Sequence, residues 1–335
     1  YQLFSFMVTY KFGCGSFAQH VLVDGESKLN MLFAVRVFKQ NNPARVDVKV
    51  IVIDKDFTEL GLLREEFPCA TIILCHFHVI DYLKRGVSKK NYGFSAFEKM
   101  HIKYILVMMV HAENESLFDG YLSALTKMCA GKPLFMDYFT ENWLNCKDLS
   151  CSFKRGNIPH LANNTNNRLE ASWGAAKDLL HRHMAMDECI DHLLFLQQTA
   201  EDQYTAKVKR VGFRYNQNYD EGMGMLAKLA THHACNLVEE QYLVSGEETY
   251  DTTTVENTPA FFTLASAKSG GQYAVNLTEH TCSCAFNQTM LLSCRHILYL
   301  RLNANMRSII PYEAIPGRWL LADEDEEDVV SIENT

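Results

Sequence analysis

The 335-residue chain lacks any long hydrophobic run. Its most apolar stretch, YILVMMV at 104–110, is far shorter than the ~18 residues that a membrane-spanning helix needs. We therefore expect a soluble protein without a membrane partner. A regular cysteine framework is lacking as well, because the eleven cysteines are scattered along the chain outside one cluster. Free thiols in this arrangement are typical of a reducing compartment, the cytosol or nucleus.

A surplus of positive charge is also absent, since the chain has 40 Asp and Glu against 32 Lys and Arg. Seven of the acids lie in residues 321–335, which leaves 33 acids against 32 bases in the rest of the chain. This near-neutral balance gives no general electrostatic case for nucleic acid, although it is compatible with a local basic patch. We interpret residues 322–335 as an acidic, disordered tail.

Four metal-ligand residues stand close together near the end of the chain. Cys282 and Cys284 are followed, after nine residues, by Cys294 and His296. Thiolate and imidazole are the ligands that Zn²⁺ prefers, and four protein ligands leave no position for water or substrate. We therefore predict one structural, tetrahedral zinc. His280 is a competing ligand, which we rank lower because it would leave Cys294 or His296 without a role.

The segments around these ligands support the zinc prediction. AVNLTEHT predicts a strand that ends in a turn, and CRHILYLRL predicts a short helix. A zinc between them would hold together about fifty residues that bury little apolar surface by themselves. The alternative is that the four residues never meet. With the downstream IPGRWLL, the pattern resembles the SWIM zinc finger, found in transposase-derived proteins and in other DNA- and protein-binding contexts.

The rest of the chain divides into three regions by pattern. Residues 1–91 contain the strand-like segments LFSFMVTY, FAQHVLV, MLFAVRVF and VKVIVI, then FTELGLLREEF with helical spacing, the strand-like ATIILC and a helix from about His78. The order β-β-β-β-α-β-α predicts a mixed sheet with helices on its faces. Residues 92–250 predict a helical region. Residues 251–321 return to strands and carry the predicted zinc ligands.

Acidic residues follow the predicted buried strand and begin a later helix. Asp54 follows VKVIVI, Cys75 and His78 lie at the end of the next strand, and Glu170 lies in the first turn of a helix. Carboxyl ends of strands often host active sites in open α/β sheets. Structural roles are the alternative: Asp54 or Asp56 capping a helix, a buried thiol with a hydrogen-bonded imidazole, and a carboxylate that favours the helix dipole.

These segments resemble the Mutator-like-element transposase domain, whose ribonuclease-H-like fold holds two divalent metals with three carboxylates. The resemblance places Asp54 at the second acid, Glu170 at the third, and Cys75 with His78 at a Cys-x-x-His motif. The first acid is missing, because Met7 stands where the family has Asp. The link KQNNPARVD also departs from the family, which has a full helix there. Cys75 and His78 as a half-site for a second metal stay an open alternative.

A thioether cannot replace an oxygen ligand for Mg²⁺, so we expect little or no strand-transfer activity. The chain is similar to zinc finger SWIM domain-containing proteins 1 and 3. This resemblance implies a domesticated, inactive, zinc-binding nuclear factor whose partner is DNA or a nuclear protein, with no small-molecule substrate. Two alternatives are an active transposase or nuclease with a substituted first acid, drawn from Asp24 or Asp56, and a zinc-stabilised protein-interaction adaptor. The oligomeric state stays open.

Overall fold

A computed structural model describes residues 2–181, 183–209, 216–255, 258–268 and 270–321. The predicted acidic tail at 322–335 lies outside these residues. The chain divides into two compact units. Unit 1 comprises residues 1–6 and 19–170, and unit 2 comprises residues 7–18 and 171–335. This division does not test the domain boundaries predicted near residues 91, 250 and 321, which stay predictions.

The secondary structure alternates in the first ninety residues and is mostly helical afterwards. The strands are β1 Gln2–Thr9, β2 Gly15–Val23, β3 Val50–Ile53, β4 Thr71–Leu74, β5 Tyr250–Val255, β6 Thr258–Ser266, β7 Gln272–Asn276 and β8 Thr281–Cys282. The helices are α1 Lys28–Asn41, α2 Phe57–Glu66, α3 His76–Ser88, α4 Ala96–Val110, α5 Glu115–Met128, α6 Pro133–Asn142, α7 Lys147–Ser150, α8 Asn167–Lys177, α9 Met186–Lys209, α10 Glu221–Leu229, α11 His232–Glu247, α12 Ala285–Met290 and α13 Arg295–Asn303.

In unit 1, β3 and β4 form a parallel pair in which Ile53 lies opposite Leu74. The residues of β3 are all Val or Ile, whose branched side chains favour extended backbone. Because parallel strands end at the same edge of a sheet, Asp54 and Cys75 follow neighbouring strand ends. The backbone N–H of Cys75 donates to the Ile53 carbonyl at 2.7 Å and fixes this juxtaposition.

One strand predicted from the sequence is wrong, because MLFAVRVF lies inside helix α1. Ser27 caps this helix by accepting a hydrogen bond from the backbone N–H of Asn30 at 3.2 Å. Ala34, Val35 and Phe38 are buried at helical spacing. The cap and this periodicity outweigh the local strand preference of Val and Phe. The order is therefore β-β-α-β-α-β-α, and a full helix does precede β3, contrary to the departure expected at KQNNPARVD.

Helices α1 to α6 and the strands β3 and β4 share the apolar core of unit 1. Local signals set their limits. Ser95 and Glu98 form a capping box at the start of α4, and Asn114 caps α5. Pro133 begins α6, where its missing N–H has no helical partner to lose. Val79, Leu83 and Val87 of α3 belong to the same core as Ile53 and Leu74, the strand residues that precede Asp54 and Cys75.

Unit 2 combines helices α8 to α11 with a four-stranded antiparallel sheet in the order β5-β6-β7-β8. Thr231 caps α11 and donates its hydroxyl to the carbonyl of Lys11 at 2.9 Å. A small apolar cluster joins the sheet to α13 and includes Leu264, Val275 and Ile297. The strands predicted for residues 251–321 are confirmed in outline, and α12 is an element that the sequence did not predict.

Among the described residues, no helix is both long enough and apolar enough to cross a membrane. In the part of the chain that the structure describes, none of the eleven cysteines forms a disulfide.

Candidate metal centre and carboxylate site

The four predicted zinc ligands lie together in unit 2. Cys282 ends β8, and the side chain of Cys284 caps α12. Cys294 occupies the N-cap position of α13 without a side-chain capping bond, and His296 lies in the first turn of that helix. All four are buried, and their donor atoms lie within 4.8 Å of one another. Helix caps suit this purpose because the free backbone N–H groups of the first turn point towards the ligand atoms.

The spacing of the donor atoms fits a tetrahedral ion. Cys282 Sγ lies 3.5 Å from His296 Nδ1, and Cys294 Sγ lies 3.7 Å from the same nitrogen. Around a tetrahedral zinc, with Zn–S of ~2.3 Å and Zn–N of ~2.0 Å, a sulfur and a nitrogen are about 3.5 Å apart. The side chains therefore already stand at the separations that a bound zinc would require.

The charges of the three thiols also favour a cation. A hydrogen bond from the Cys282 thiol lowers the pKa of Cys284, and the same contact raises the pKa of Cys282. Burial raises the pKa of Cys294. At this spacing the thiols influence one another's ionisation. A coordinating metal deprotonates its thiol ligands outright and compensates all three charges, so the donor set is consistent with zinc.

Asn287, which sequence reasoning missed, organises the ligand loop. Its Oδ1 accepts the backbone N–H of Cys282 at 2.7 Å, and its Nδ2 donates to the Leu292 carbonyl at 2.9 Å. Its own backbone N–H donates to Cys284 Sγ at 3.5 Å. One buried amide therefore ties together the segments that carry the first and second ligand pairs. Its position three residues after Cys284, in the first turn of a helix, was a usable signal.

The imidazole of His296 is oriented by packing. Tyr273 stacks on it with ring centroids 3.9 Å apart, and Tyr250 meets it edge-on at 5.2 Å. Nδ1 faces the sulfurs, whereas Nε2 is buried without a hydrogen-bond partner in the described part of the chain. The two tyrosines hold the ring in the orientation that a metal ligand needs, a role that the sequence did not reveal.

The competing ligand and the downstream tryptophan have other partners. His280 Nε2 lies 3.3 Å from Glu313 Oε1, and His280 is not part of the four-residue cluster. Trp319 is buried, and its Nε1 donates to the Met290 carbonyl at 3.1 Å. The IPGRWLL segment thus contributes packing to unit 2 beside helix α12.

A second constellation lies in unit 1, where His78 contacts both acids singled out from the sequence. Its Nδ1 lies 2.6 Å from Asp54 Oδ1, and its Nε2 lies 2.8 Å from Glu170 Oε1. The Nδ1 approach is close but lacks the direction of a hydrogen bond. Two ligands of one divalent metal would be about 3.0 to 3.4 Å apart. Both separations are shorter, so His78 contacts the carboxylates directly.

Asn166 supports this arrangement from the segment before α8. Its Nδ2 donates to Asp54 Oδ1 at 2.9 Å, and its backbone N–H donates to Cys75 Sγ at 3.2 Å. Burial raises the pKa of the Cys75 thiol. The donor atoms of Asp54, Cys75 and His78 lie within 4.8 Å of one another. The alternative of a second metal therefore has three candidate ligands. The short contact between His78 and Asp54 favours direct pairing of these two side chains instead.

The two aspartates offered as helix caps have different roles. Asp56 caps α2 by accepting the backbone N–H groups of Thr58 and Glu59 at 2.7 and 3.0 Å. Asp54 instead contacts His78.

Glu59 is a residue that the sequence analysis did not single out. Burial, together with the nearby Asp56 and Asp54, raises the pKa of Glu59 to about 7. Carboxylates three and five residues before it were the available signal.

The remaining candidate residues stay predictions. Met7 lies in β1 and Asp24 follows β2, and their proposed relation to a first acid is untested. The assignment of Asp54 and Glu170 as remnants of a catalytic set likewise stays a prediction. The geometry shows which partners they have, and those partners are His78 and Asn166.

Residues 1–73 match the family model described as zinc finger SWIM domain-containing protein 1/3, RNaseH-like domain. This range covers β1, β2, α1, β3 and α2 and includes Asp54. The chain thus has an RNaseH-like domain at its N-terminus, and this region is similar to that of zinc finger SWIM domain-containing proteins 1 and 3.

Proposed function

We propose that the protein is a catalytically inactive nuclear factor, derived from a transposase, that binds zinc and contacts DNA or a protein partner. The buried set Cys282, Cys284, Cys294 and His296 carries this proposal. Four protein donors complete a tetrahedral zinc and leave no position for a substrate, so the ion would be structural. The small apolar cluster around these ligands would depend on it for stability.

The contacts of His78 support the absence of catalysis. A two-metal phosphodiester mechanism needs carboxylate oxygens that are available to bridge the cations. Here Asp54 and Glu170 both contact one imidazole, and a metal would have to displace those contacts. If Met7 occupies the position of the first acid, the site also lacks the oxygen donor that a divalent metal would need.

Metal content tests the zinc module. We expect one zinc per purified chain and, after cobalt substitution, thiolate-to-metal charge-transfer absorption. Cys284→Ser should abolish that absorption. Cys69→Ser is the matched control, because Cys69 is an exposed thiol outside the cluster and its loss should leave the spectrum unchanged. A native chain without zinc, or equal spectra for both variants, would remove the zinc module from the proposal.

Nicking of end-labelled duplex DNA in Mg²⁺ or Mn²⁺ tests the proposed inactivity. We expect no nicking by the native chain and test whether Met7→Asp restores it. The double variant Met7→Asp/Asp54→Asn controls for contaminating nuclease. Nicking by the native chain that disappears in Asp54→Asn would instead establish the alternative of an active nuclease. DNA binding measured in the same samples separates a DNA-binding factor from a protein-interaction adaptor.

A further inference from the structure

Helices α3 and α4 of unit 1 border an open depression with a volume of about 460 Å³. Its lining residues are Asp81, Lys84, Arg85, Ser88, Lys89 and Lys103. Four of the six are cationic, although the chain as a whole has a net charge of −8. A local basic patch of this kind is compatible with the near-neutral charge of the chain outside its acidic end. We call Lys84, Arg85, Lys89 and Lys103 the α3–α4 basic surface.

The amphipathic pattern of α3 produces this surface. Val79, Leu83 and Val87 are buried in the core, which turns Lys84 and Arg85 to the exposed side of the helix. On α4, Lys99 and Lys103 are one turn apart, and Lys99 Nζ approaches the Ser88 carbonyl at 3.5 Å. The packing of the two helices therefore gathers cations from separate segments at one place.

The charges of this surface are poorly compensated. The only acid in the lining, Asp81, contacts Arg85. In the described part of the chain, Lys84, Lys89 and Lys103 have no ion pair with a carboxylate. Lys89 Nζ lies over the Tyr138 ring at 5.4 Å. Other lysines of unit 1, at positions 39, 147 and 154, do pair with carboxylates.

Gathering like charges costs free energy, and an anionic ligand would lower that cost. The lining offers ammonium and guanidinium groups with one hydroxyl; all six lining residues have polar or charged side chains, and the depression is open to solvent. Lys89 directly follows the last residue of α3, so at the helical rise it lies about 7.5 Å from Lys84 along the axis, which corresponds to about two phosphates along one strand of duplex DNA. A series of phosphates matches this surface better than a single small anion does.

We propose that the α3–α4 basic surface binds the phosphate backbone of duplex DNA. This inference rests on the proposed function and deepens it, because it places the DNA contact in unit 1, on helices that follow the RNaseH-like match at residues 1–73. Since phosphate contacts carry no sequence information, binding through this surface is independent of sequence. Base recognition, if the protein has it, belongs to other residues.

Two triple variants with equal charge test the proposal. Lys84→Gln/Lys89→Gln/Lys103→Gln alters the surface, and Lys28→Gln/Lys49→Gln/Lys127→Gln removes three exposed lysines elsewhere in unit 1. Binding of the full chain to a fluorescent duplex is measured over a range of salt concentrations. Each lost phosphate contact should reduce the salt slope by about 0.9, so the surface variant should bind on the order of 100-fold more weakly at about 150 mM salt. The control variant should stay close to the native affinity.

The outcomes separate this inference from the proposed function. Equal affinities of the two variants would overturn the surface while leaving DNA binding in place. A native chain that does not bind the duplex would overturn both. Tighter binding of phosphatidylserine vesicles than of DNA, lost in the surface variant, would replace DNA by a lipid headgroup. Thermal unfolding of all three proteins verifies folding, and Lys84→Gln/Lys89→Gln repeats the test on α3 alone.

Discussion

Replacement of Glu59 by Gln should change how the stability of unit 1 depends on pH. Glu59 lies on α2 close to Asp54 and Asp56, and burial together with these two acids raises its pKa to about 7 from an ordinary 4.5. The carboxyl group is therefore protonated in the folded chain at a pH where it is ionised in the unfolded chain. Glutamine is neutral at every pH and has nearly the same shape.

The sign of the effect follows from proton binding. Between pH 4.5 and 7 the folded state holds a proton on Glu59 that the unfolded state has released, so the free energy of unfolding falls as pH rises through this window. The full difference corresponds to about 3 kcal/mol. Because the side chain is only partly buried and solvent screens its neighbours, we expect a loss of about 2 kcal/mol in the native chain.

Unfolding of unit 1 can be followed by fluorine NMR after incorporation of 5-fluorotryptophan. Trp143 belongs to unit 1, whereas Trp173 and Trp319 belong to unit 2. Urea unfolding in excess zinc, monitored at the Trp143 resonance between pH 5 and 8, gives the stability of unit 1 alone. Glu59→Gln should match the native chain at pH 5 and exceed it by about 2 kcal/mol at pH 8.

Glu65→Gln is the control for this measurement, because Glu65 lies on the same helix and is exposed. Its pH profile should be parallel to that of the native chain. If Glu59→Gln also gave a profile parallel to the native one, the raised pKa of Glu59 and its causes would be refuted.

Two further variants test packing around the sites. Asn287→Ala removes the amide that ties the ligand segments together, and zinc affinity measured by chelator competition should fall about 10- to 100-fold, as for other residues that support metal ligands. Arg155→Met removes donors to the carbonyls of Leu74 and Leu149 in a buried setting. Unit 1 should lose about 2 kcal/mol of stability in urea unfolding.

The parts of the fold that the sequence predicted correctly are those with short-range signals. VIVI predicts β3 from four branched residues, and Asp56 with an apolar period predicts α2. The error at MLFAVRVF has the same origin. Val and Phe favour a strand locally, but the Ser27 cap and the burial of every third or fourth residue decide for α1. Burial depends on the tertiary fold, which a local window does not contain.

The two sites differ in how much of them the sequence reveals. The Cys282 to His296 cluster lies within fifteen residues, so spacing alone predicts which side chains meet. The partners of Asp54 come from His78 and Asn166, more than twenty and more than a hundred residues away. Their meeting depends on the β3–β4 register and on the path of the chain before α8, and neither is encoded locally.

The environments of His296 and His78 differ in the space that they leave for a metal ion. His296 turns Nδ1 towards the sulfur atoms of the cluster. The distances from Nδ1 to Cys282 Sγ and Cys294 Sγ are 3.5 and 3.7 Å, which leaves room for an ion between nitrogen and sulfur. His78 lies within 2.8 Å of a carboxylate on each side, so its ring fills the space between the acids. A cation and this imidazole would compete for the same oxygens.

His78→Ala should therefore make the carboxylates more accessible to Mn²⁺ than restoring the first acid alone does. Calorimetry of Mn²⁺ binding to His78→Ala, Met7→Asp and the double variant distinguishes these causes. Equal heats for His78→Ala and the native chain would show that His78 does not exclude the metal.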